Sequence, residues 1–231
     1  MSLDTGAPPS PPRGPGDPDV TDVEDPDGLE DGSWRSTPVV VGLSVILVAM
    51  LVVGGVLVWQ RSTTPGAGSV DVGFLQDMTS HHNQAVEMAA IAAEKASDPD
   101  IRSFAREILI DQRYEVGYME ALLEDWGQWP YSEDRTAMQW MDMSSPVAQM
   151  AGMQPAAKVA ALQDLSGPAF DREFMRMMVD HHRGGIHMAD FAAAHAKDER
   201  VRSLAQRMAT VQQGEIGDFE RAAKRLGYDI G

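Results

Sequence analysis

Hydrophobic residues follow two different patterns along the chain. From Val39 to Trp59 most residues are apolar and none is charged. At about 1.5 Å per residue this stretch would span about 30 Å, the thickness of the hydrocarbon core of a bilayer. After residue 70 the apolar residues recur with the helical period, as Phe104, Ile108 and Met119 do, and no stretch alternates as a strand does. The pattern predicts one transmembrane helix ahead of a set of amphipathic helices.

Changes in composition divide the chain into four segments. Residues 1–37 are rich in Pro, Gly and Asp, which predicts a disordered acidic tail. Residues 38–60 form the predicted anchor, 61–69 a flexible linker and 70–231 the folded domain. The apolar stretch is interpreted as an uncleaved anchor rather than a signal peptide, because it is long and follows a long acidic tail.

The folded domain contains an internal duplication at an offset of 100 residues. The matched positions include Phe74 with Phe174, Met78 with Met178, His81-His82 with His181-His182, Met88 with Met188, Gln112 with Gln212, Glu115 with Glu215 and Gly127 with Gly227. A gapless repeat of this kind indicates one supersecondary unit used twice. Each repeat, 70–127 and 167–228, predicts a helical hairpin whose second helix is capped by Asp98 or Asp198. Joined by a Met-rich connector over 128–166, they predict an all-α four-helix bundle.

Histidine and methionine are the residues that suggest metal chemistry. The chain has six histidines, fifteen methionines and no cysteine, so a soft metal would have to bind through Met and His. On a helical wheel each His-His pair shares one face with the methionines before and after it, and a glutamate of the second helix faces the core. The predicted metal ligands are His81, His82, His181, His182, Met78, Met88, Met178, Met188, Glu115 and Glu215. The alternative is that each histidine is a core residue hydrogen-bonded to Glu115 or Glu215.

The remaining histidines and the connector methionines are further candidate ligands. Met138, Met141 and Met143 of the connector are a possible secondary metal site, because thioether sulfur favours Cu(I), or else a hydrophobic flap. His187 falls opposite the predicted site, and His195 lies near a helix end, so neither is expected to bind a metal.

Charge and spacing exclude or disfavour several functions. A net charge of −16 argues against nucleic-acid binding, which needs clustered Lys and Arg. The Glu-x-x-His spacing of ferritin-like di-iron sites is absent around these histidines, so a di-metal redox enzyme is less favoured and no catalytic residues are predicted.

The motif Phe-x-x-x-Met-x-x-His-His-x-x-x-x-x-Met-Ala, read at 74–89 and again at 174–189, resembles the domain-of-unknown-function 305 family. The resemblance implies a ferritin-like bundle, export or membrane anchoring, and copper binding by the matched His and Met residues. The connector lacks the histidines of many family members, which argues against high-capacity storage.

The expected function is therefore a membrane-anchored, extracytoplasmic copper-binding protein for sequestration or delivery. It would be a single-pass protein of the cell membrane with its C-terminal domain on the outer side, because a Cys-free, His- and Met-rich domain suits an oxidising compartment. The alternative is an accessory subunit of a membrane complex, for example a respiratory one, with the bundle as a docking module.

Overall fold

The computed structural model describes residues 37–231, with residues 59–63 described by their backbone alone. The predicted acidic tail thus lies outside the described residues, except for the backbone of Thr37. Helix α1 runs over Thr37–Thr63. Its segment Pro38–Val58 has 21 residues and a mean hydropathy of 2.8, so it is long and apolar enough to cross a membrane.

Four long helices follow, α2 (Val70–Lys95), α3 (Pro99–Asp125), α5 (Gly167–His195) and α6 (Glu199–Leu226), with a short α4 (Ala156–Ala161) before α5. Side chains of the preceding residues cap three of the long helices: Ser69 accepts from Val72 N, Asp98 from two backbone amides of α3, and Asp198 from Arg200 N. These helices confirm the all-α class and the predicted four-helix arrangement.

The two hairpins pack against each other through their first helices. Helix α2 packs along α3, α5 along α6, and α2 against α5, whereas α3 and α6 touch only weakly. Asp71 at the start of α2 accepts hydrogen bonds from Lys197 N and Asp198 N, 2.9 and 2.7 Å away, just beyond the end of α5. Asp171 near the start of α5 does the same for Ser97 N and Asp98 N, at 2.8 and 3.0 Å. These reciprocal contacts show that α2 and α5 are antiparallel and that the repeats are related by an approximate two-fold axis.

The apolar core consists of two clusters along the bundle. One contains Met78 and Met188, and the other contains Met88 and Met178. All four methionines are fully buried. Because α2 and α5 are antiparallel, a methionine near the start of one helix meets a methionine late in the other. The paired histidines lie between these methionines along each helix.

The connector between the hairpins folds back over α2. It contains two short antiparallel strands, β1 (Thr136–Ala137) and β2 (Ser145–Pro146), and several single turns of 3-10 helix. Asp77 of α2 fixes it by accepting hydrogen bonds from Met138 N and Trp140 Nε1, both at 2.7 Å. At Gly73 a Cβ atom would lie 2.3 Å from Trp140 Cδ1, so only glycine admits the indole here.

The three connector methionines have different environments. Met138 and Met141 are buried in the core cluster that also contains Met78, whereas Met143 is 45% exposed. Two of the three thus fill the core, and copper collection by this segment stays a prediction.

Candidate metal centre

Four histidines form a fully buried layer at the middle of the bundle. We call His81, His82, His181 and His182 the imidazole layer; none has any exposed surface. The rings of His81 and His181 stack across the α2–α5 contact, with centroids 3.7 Å apart and planes tilted by 30°. Within each pair the centroids are 6.4 and 6.3 Å apart, because neighbouring residues of a helix point about 100° apart. One histidine of each pair therefore faces the other repeat, and the second faces its own hairpin.

The second histidine of each pair meets the glutamate of its own hairpin. His82 Nε2 lies 2.9 Å from Glu115 Oε2 and forms a hydrogen bond with it. His182 Nε2 lies 2.7 Å from Glu215 Oε2, but this contact lacks hydrogen-bond geometry and leaves both atoms without a partner. The glutamate side chains are 20% and 18% exposed, so each carboxylate joins a buried imidazole to the surface.

Most polar atoms of the imidazole layer have no hydrogen-bond partner. Seven of the eight ring nitrogens make no contact with full hydrogen-bond geometry, the exception being Nε2 of His82. Looser contacts remain, from the Ala151 carbonyl to His81, from the His81 carbonyl to His181 and from Glu215 to His182. The side-chain oxygens Oε1 of Gln112 and Gln212, both residues only 3% exposed, are also unpartnered. Each buried and unsatisfied group costs about 1–3 kcal/mol, and such groups are rare in folded proteins. Their concentration in one layer makes this layer the candidate ligand site.

The central histidines are held in the neutral form. Burial lowers the pKa of His81 well below its ordinary value, the neighbouring His82 and His182 lower it further, and the Ala151 carbonyl acts in the opposite direction. Burial and the other histidines of the layer likewise lower the pKa of His181. A neutral imidazole keeps a free lone pair, which is the form that binds metals.

Gln112 and Gln212 were not among the predicted site residues. A Cβ atom at Gly185 would lie 2.4 Å from Gln212 Oε1, so this glycine makes room for the amide against α5. The sequence did contain a signal for them, because the two glutamines match at the repeat offset. A polar residue that occupies a core-facing position in both repeats needs a polar partner there.

The imidazole layer is covered on one face of the bundle and is reached by a groove on the other. On the α2–α5 face the connector passes over the helices, and a Cβ atom at Gly184 would lie 2.2 Å from Ala151 O. On the opposite face a groove of about 210 Å³ lies between α3 and α6. We call it the α3–α6 groove; it is lined by Asp111, Gln112, Tyr114, Glu115, Leu204, Arg207, Met208, Val211, Gln212 and Glu215. Burial, followed by Glu215 and Glu115, raises the pKa of Asp111.

The structure brings the predicted ligands together in pairs. His82 meets Glu115, His182 meets Glu215 and the two remaining histidines meet each other. Within residues 37–231 no group of three or more His, Asp or Glu side chains is arranged to hold a metal. The two histidines outside the layer, His187 and His195, are exposed, and His195 is the last residue of α5, near the helix end where the sequence placed it.

Comparison with known proteins identifies the family. Residues 71–223 match the family described as Domain of unknown function (DUF305). The chain belongs to the DUF305 family. Among curated protein sequences none matches this chain.

Solved structures of DUF305 proteins share this fold. The DUF305 protein of Streptomyces coelicolor is 32% identical with a TM-score of 0.67, over 72% of this chain and 99% of that one. A DUF305 fragment from Deinococcus radiodurans is 34% identical with a TM-score of 0.60, over 70% of this chain and 99% of the fragment. CopM in its Cu(I)-bound form is 26% identical with a TM-score of 0.51, over 68% of this chain and 96% of CopM. CopM has also been solved with Ag bound.

Proposed function

We propose that this DUF305 protein binds copper as a cargo at the imidazole layer, outside the membrane, for sequestration or delivery. The observation that carries the proposal is the set of seven unpartnered ring nitrogens in a fully buried layer. A bound cation would satisfy lone pairs whose burial otherwise costs free energy. The Cu(I)-bound structure of CopM, a relative over most of the bundle, supports the choice of metal.

The chemistry of the surrounding side chains fits copper better than a hard cation. The layer itself supplies imidazole nitrogens, and the core clusters contain the sulfur atoms of Met78, Met88, Met178 and Met188. Imidazole suits copper and thioether sulfur selects Cu(I), whereas Mg²⁺ and Ca²⁺ prefer oxygen ligands. Among the described side chains, the carboxylates that contact the layer are those of Glu115 and Glu215. We assign binding and no catalytic step to this site.

The location of the protein is part of the same proposal. Helix α1 would anchor the chain in the cell membrane, and the bundle would lie on the outer side. The relative from Streptomyces coelicolor is described as secreted, which supports an extracytoplasmic bundle. The chain has no cysteine, so its metal ligands do not depend on reduced thiols.

The proposal is tested by measuring copper content and Cu(I) affinity of the full-length protein in detergent. The site variant replaces His81 and His181 with Leu and His82 and His182 with Gln. We expect it to lose tight Cu(I) binding while its helical circular dichroism stays that of the wild type.

The matched control replaces the exposed His187 and His195 with Gln, which removes two histidines without touching the layer. It should bind as much copper as the wild type. The proposal is wrong if the folded site variant keeps full binding, or if the wild type binds no copper.

One observation favours a second function, docking within a membrane complex. Helices α3 and α6 expose three large apolar side chains, Ile110, Tyr114 and Val211, at 68%, 74% and 48%. Exposed apolar groups that lie close together mark interaction sites more often than isolated ones do. Native electrophoresis of solubilised membranes distinguishes the two functions: a docking subunit should stay in a larger complex in the histidine site variant and leave it when Tyr114 is changed to Lys.

A further inference from the structure

The α2–α5 face of the imidazole layer is closed by close backbone packing. The Ala151 carbonyl lies against the backbone of Gly184, and a Cβ atom at Gly152 would lie 2.5 Å from His181 O. Gln84 of α2 fixes the same segment with two hydrogen bonds, from its Nε2 to Gln154 O at 2.8 Å and from Gln154 N to its Oε1 at 2.7 Å. An ion entering from this side would have to displace the connector.

The α3–α6 face offers a path that needs no such displacement. The α3–α6 groove is open to solvent, and its two walls touch only weakly. Glu115 and Glu215 line it, and each is partly exposed while contacting a histidine that is fully buried. The carboxylates therefore connect the groove directly to His82 and His182.

The composition of the groove favours a cation. It contains three carboxylates, on Asp111, Glu115 and Glu215, against one cationic side chain, Arg207. A cleft lined by charge of one sign raises the local concentration of the opposite ion. Independently of this charge, Gln112 and Gln212 line the groove and are more than nine-tenths buried. Both carry unpartnered side-chain oxygens, of which that of Gln212 lies beside Gly185 of α5.

We propose that cations reach and leave the imidazole layer through the α3–α6 groove. Asp111 draws the ion to the mouth, and Glu115 and Glu215 pass it to His82 and His182. Oxygen ligands bind Cu(I) weakly compared with imidazole and thioether, so the groove conducts the ion and does not retain it. This route rests on the proposed copper-binding function but makes a separate statement, about rates rather than about stoichiometry.

The test measures rates of copper transfer with the full-length protein in detergent. Cu(I)-loaded protein is mixed with excess chromophoric chelator and release is followed by absorbance, and loading is followed from a weak Cu(I) complex. Val211→Trp places a bulky ring in the groove at a half-exposed position. We expect it to slow both directions by about tenfold or more, and to leave the dissociation constant within about twofold. Ile110→Trp, the same enlargement on an exposed residue outside the groove, is the matched control and should exchange copper at the wild-type rate.

The charge of the groove is tested with Asp111→Asn. At low ionic strength this variant should load about tenfold more slowly, and the difference should shrink as salt is added. Glu124→Gln removes an equal charge from an exposed position of α3 outside the groove and should leave the loading rate unchanged.

The outcomes separate the route from the binding function. If the wild type holds no copper at equilibrium, the proposed function fails and the route fails with it. If the wild type holds copper and Val211→Trp exchanges it at the wild-type rate, the route alone is overturned. Faster exchange in Gln84→Ala, together with no effect of Val211→Trp, would place the entrance beneath the connector instead.

Discussion

The burial of four unpartnered ring nitrogens on His81 and His181 should lower the free energy of unfolding of the metal-free protein. A variant without these nitrogens should therefore be more stable. Changing both residues to Leu removes these polar atoms and keeps the contact between α2 and α5 apolar. Replacing buried, unsatisfied polar groups with apolar groups of similar shape is neutral or stabilising. The double variant should therefore be more stable than the wild type when no copper is present.

The expected magnitude follows from the contacts. At the low end of about 1 kcal/mol for each unsatisfied atom, the four nitrogens of the stacked rings cost about 4 kcal/mol. Repacking two branched side chains into the same space costs about 1–3 kcal/mol. The net gain in the free energy of unfolding should thus be about 1–3 kcal/mol. Copper reverses the order, because free ligand at about 1,000 times its dissociation constant adds about 4.1 kcal/mol to the wild type alone.

Urea unfolding of the full-length protein in detergent, followed by circular dichroism with and without Cu(I), measures both effects. Equal slopes of free energy against urea are needed for the comparison. His187→Leu, at an exposed position, is the control and should change stability by less than about 0.5 kcal/mol. A metal-free double variant that unfolds at lower urea than the wild type would refute the reasoning, since it would show that the nitrogens are satisfied in the folded protein.

Three further predictions concern the layer and the contacts that surround it. Below the ordinary histidine pKa of 6.5 the unfolded chain takes up protons that His81 and His181 cannot accept in the folded protein. The free energy of unfolding of the metal-free wild type, measured by urea titration, should therefore fall by up to about 1.4 kcal/mol per histidine for each pH unit. It should fall less in the double Leu variant. Asp171→Ala leaves two amides of the α2–α3 turn without their acceptor and should lower the free energy of unfolding by about 2–3 kcal/mol. In Gly184→Ala the new methyl group meets a backbone carbonyl, so the free energy of unfolding should fall by about 1–3 kcal/mol. In Gly214→Ala it meets nothing within 4 Å, so the free energy of unfolding should rise by about 0.5–1 kcal/mol. Thermal unfolding measures both changes.

The sequence predicts the helices well because each carries its own local signal. Asp98 with Pro99, and Asp198 with the helical period that follows, place the starts of α3 and α6 without knowledge of the tertiary structure. The repeat offset then predicts the pairing into two hairpins. It also predicts that Glu115 and Glu215 face the histidines, because residues that repeat together with a core-facing motif share its environment.

The arrangement inside the layer could not be predicted in the same way. A helical wheel shows that His81 and His82 lie on one side of α2, but not that one meets α5 and the other meets α3. That division depends on the order of the helices around the bundle. The burial of Met138 was equally hidden, because it depends on long-range contacts of the connector with Asp77.

Several differences between the two repeats lie where the helices contact the connector. Gly73 and Asp77 in the first repeat contact the connector at Trp140 and Met138, and their counterparts in the second repeat are Glu173 and Met177. Gln84 and its counterpart Gly184 both contact the connector, but in different ways. Gln84 forms hydrogen bonds with it, and Gly184 leaves room for its backbone. One chain segment can cover only one face of a two-fold bundle. The residues beneath it therefore diverge between the repeats, while each repeat keeps a close approach of its second histidine to its own glutamate, His82 to Glu115 and His182 to Glu215.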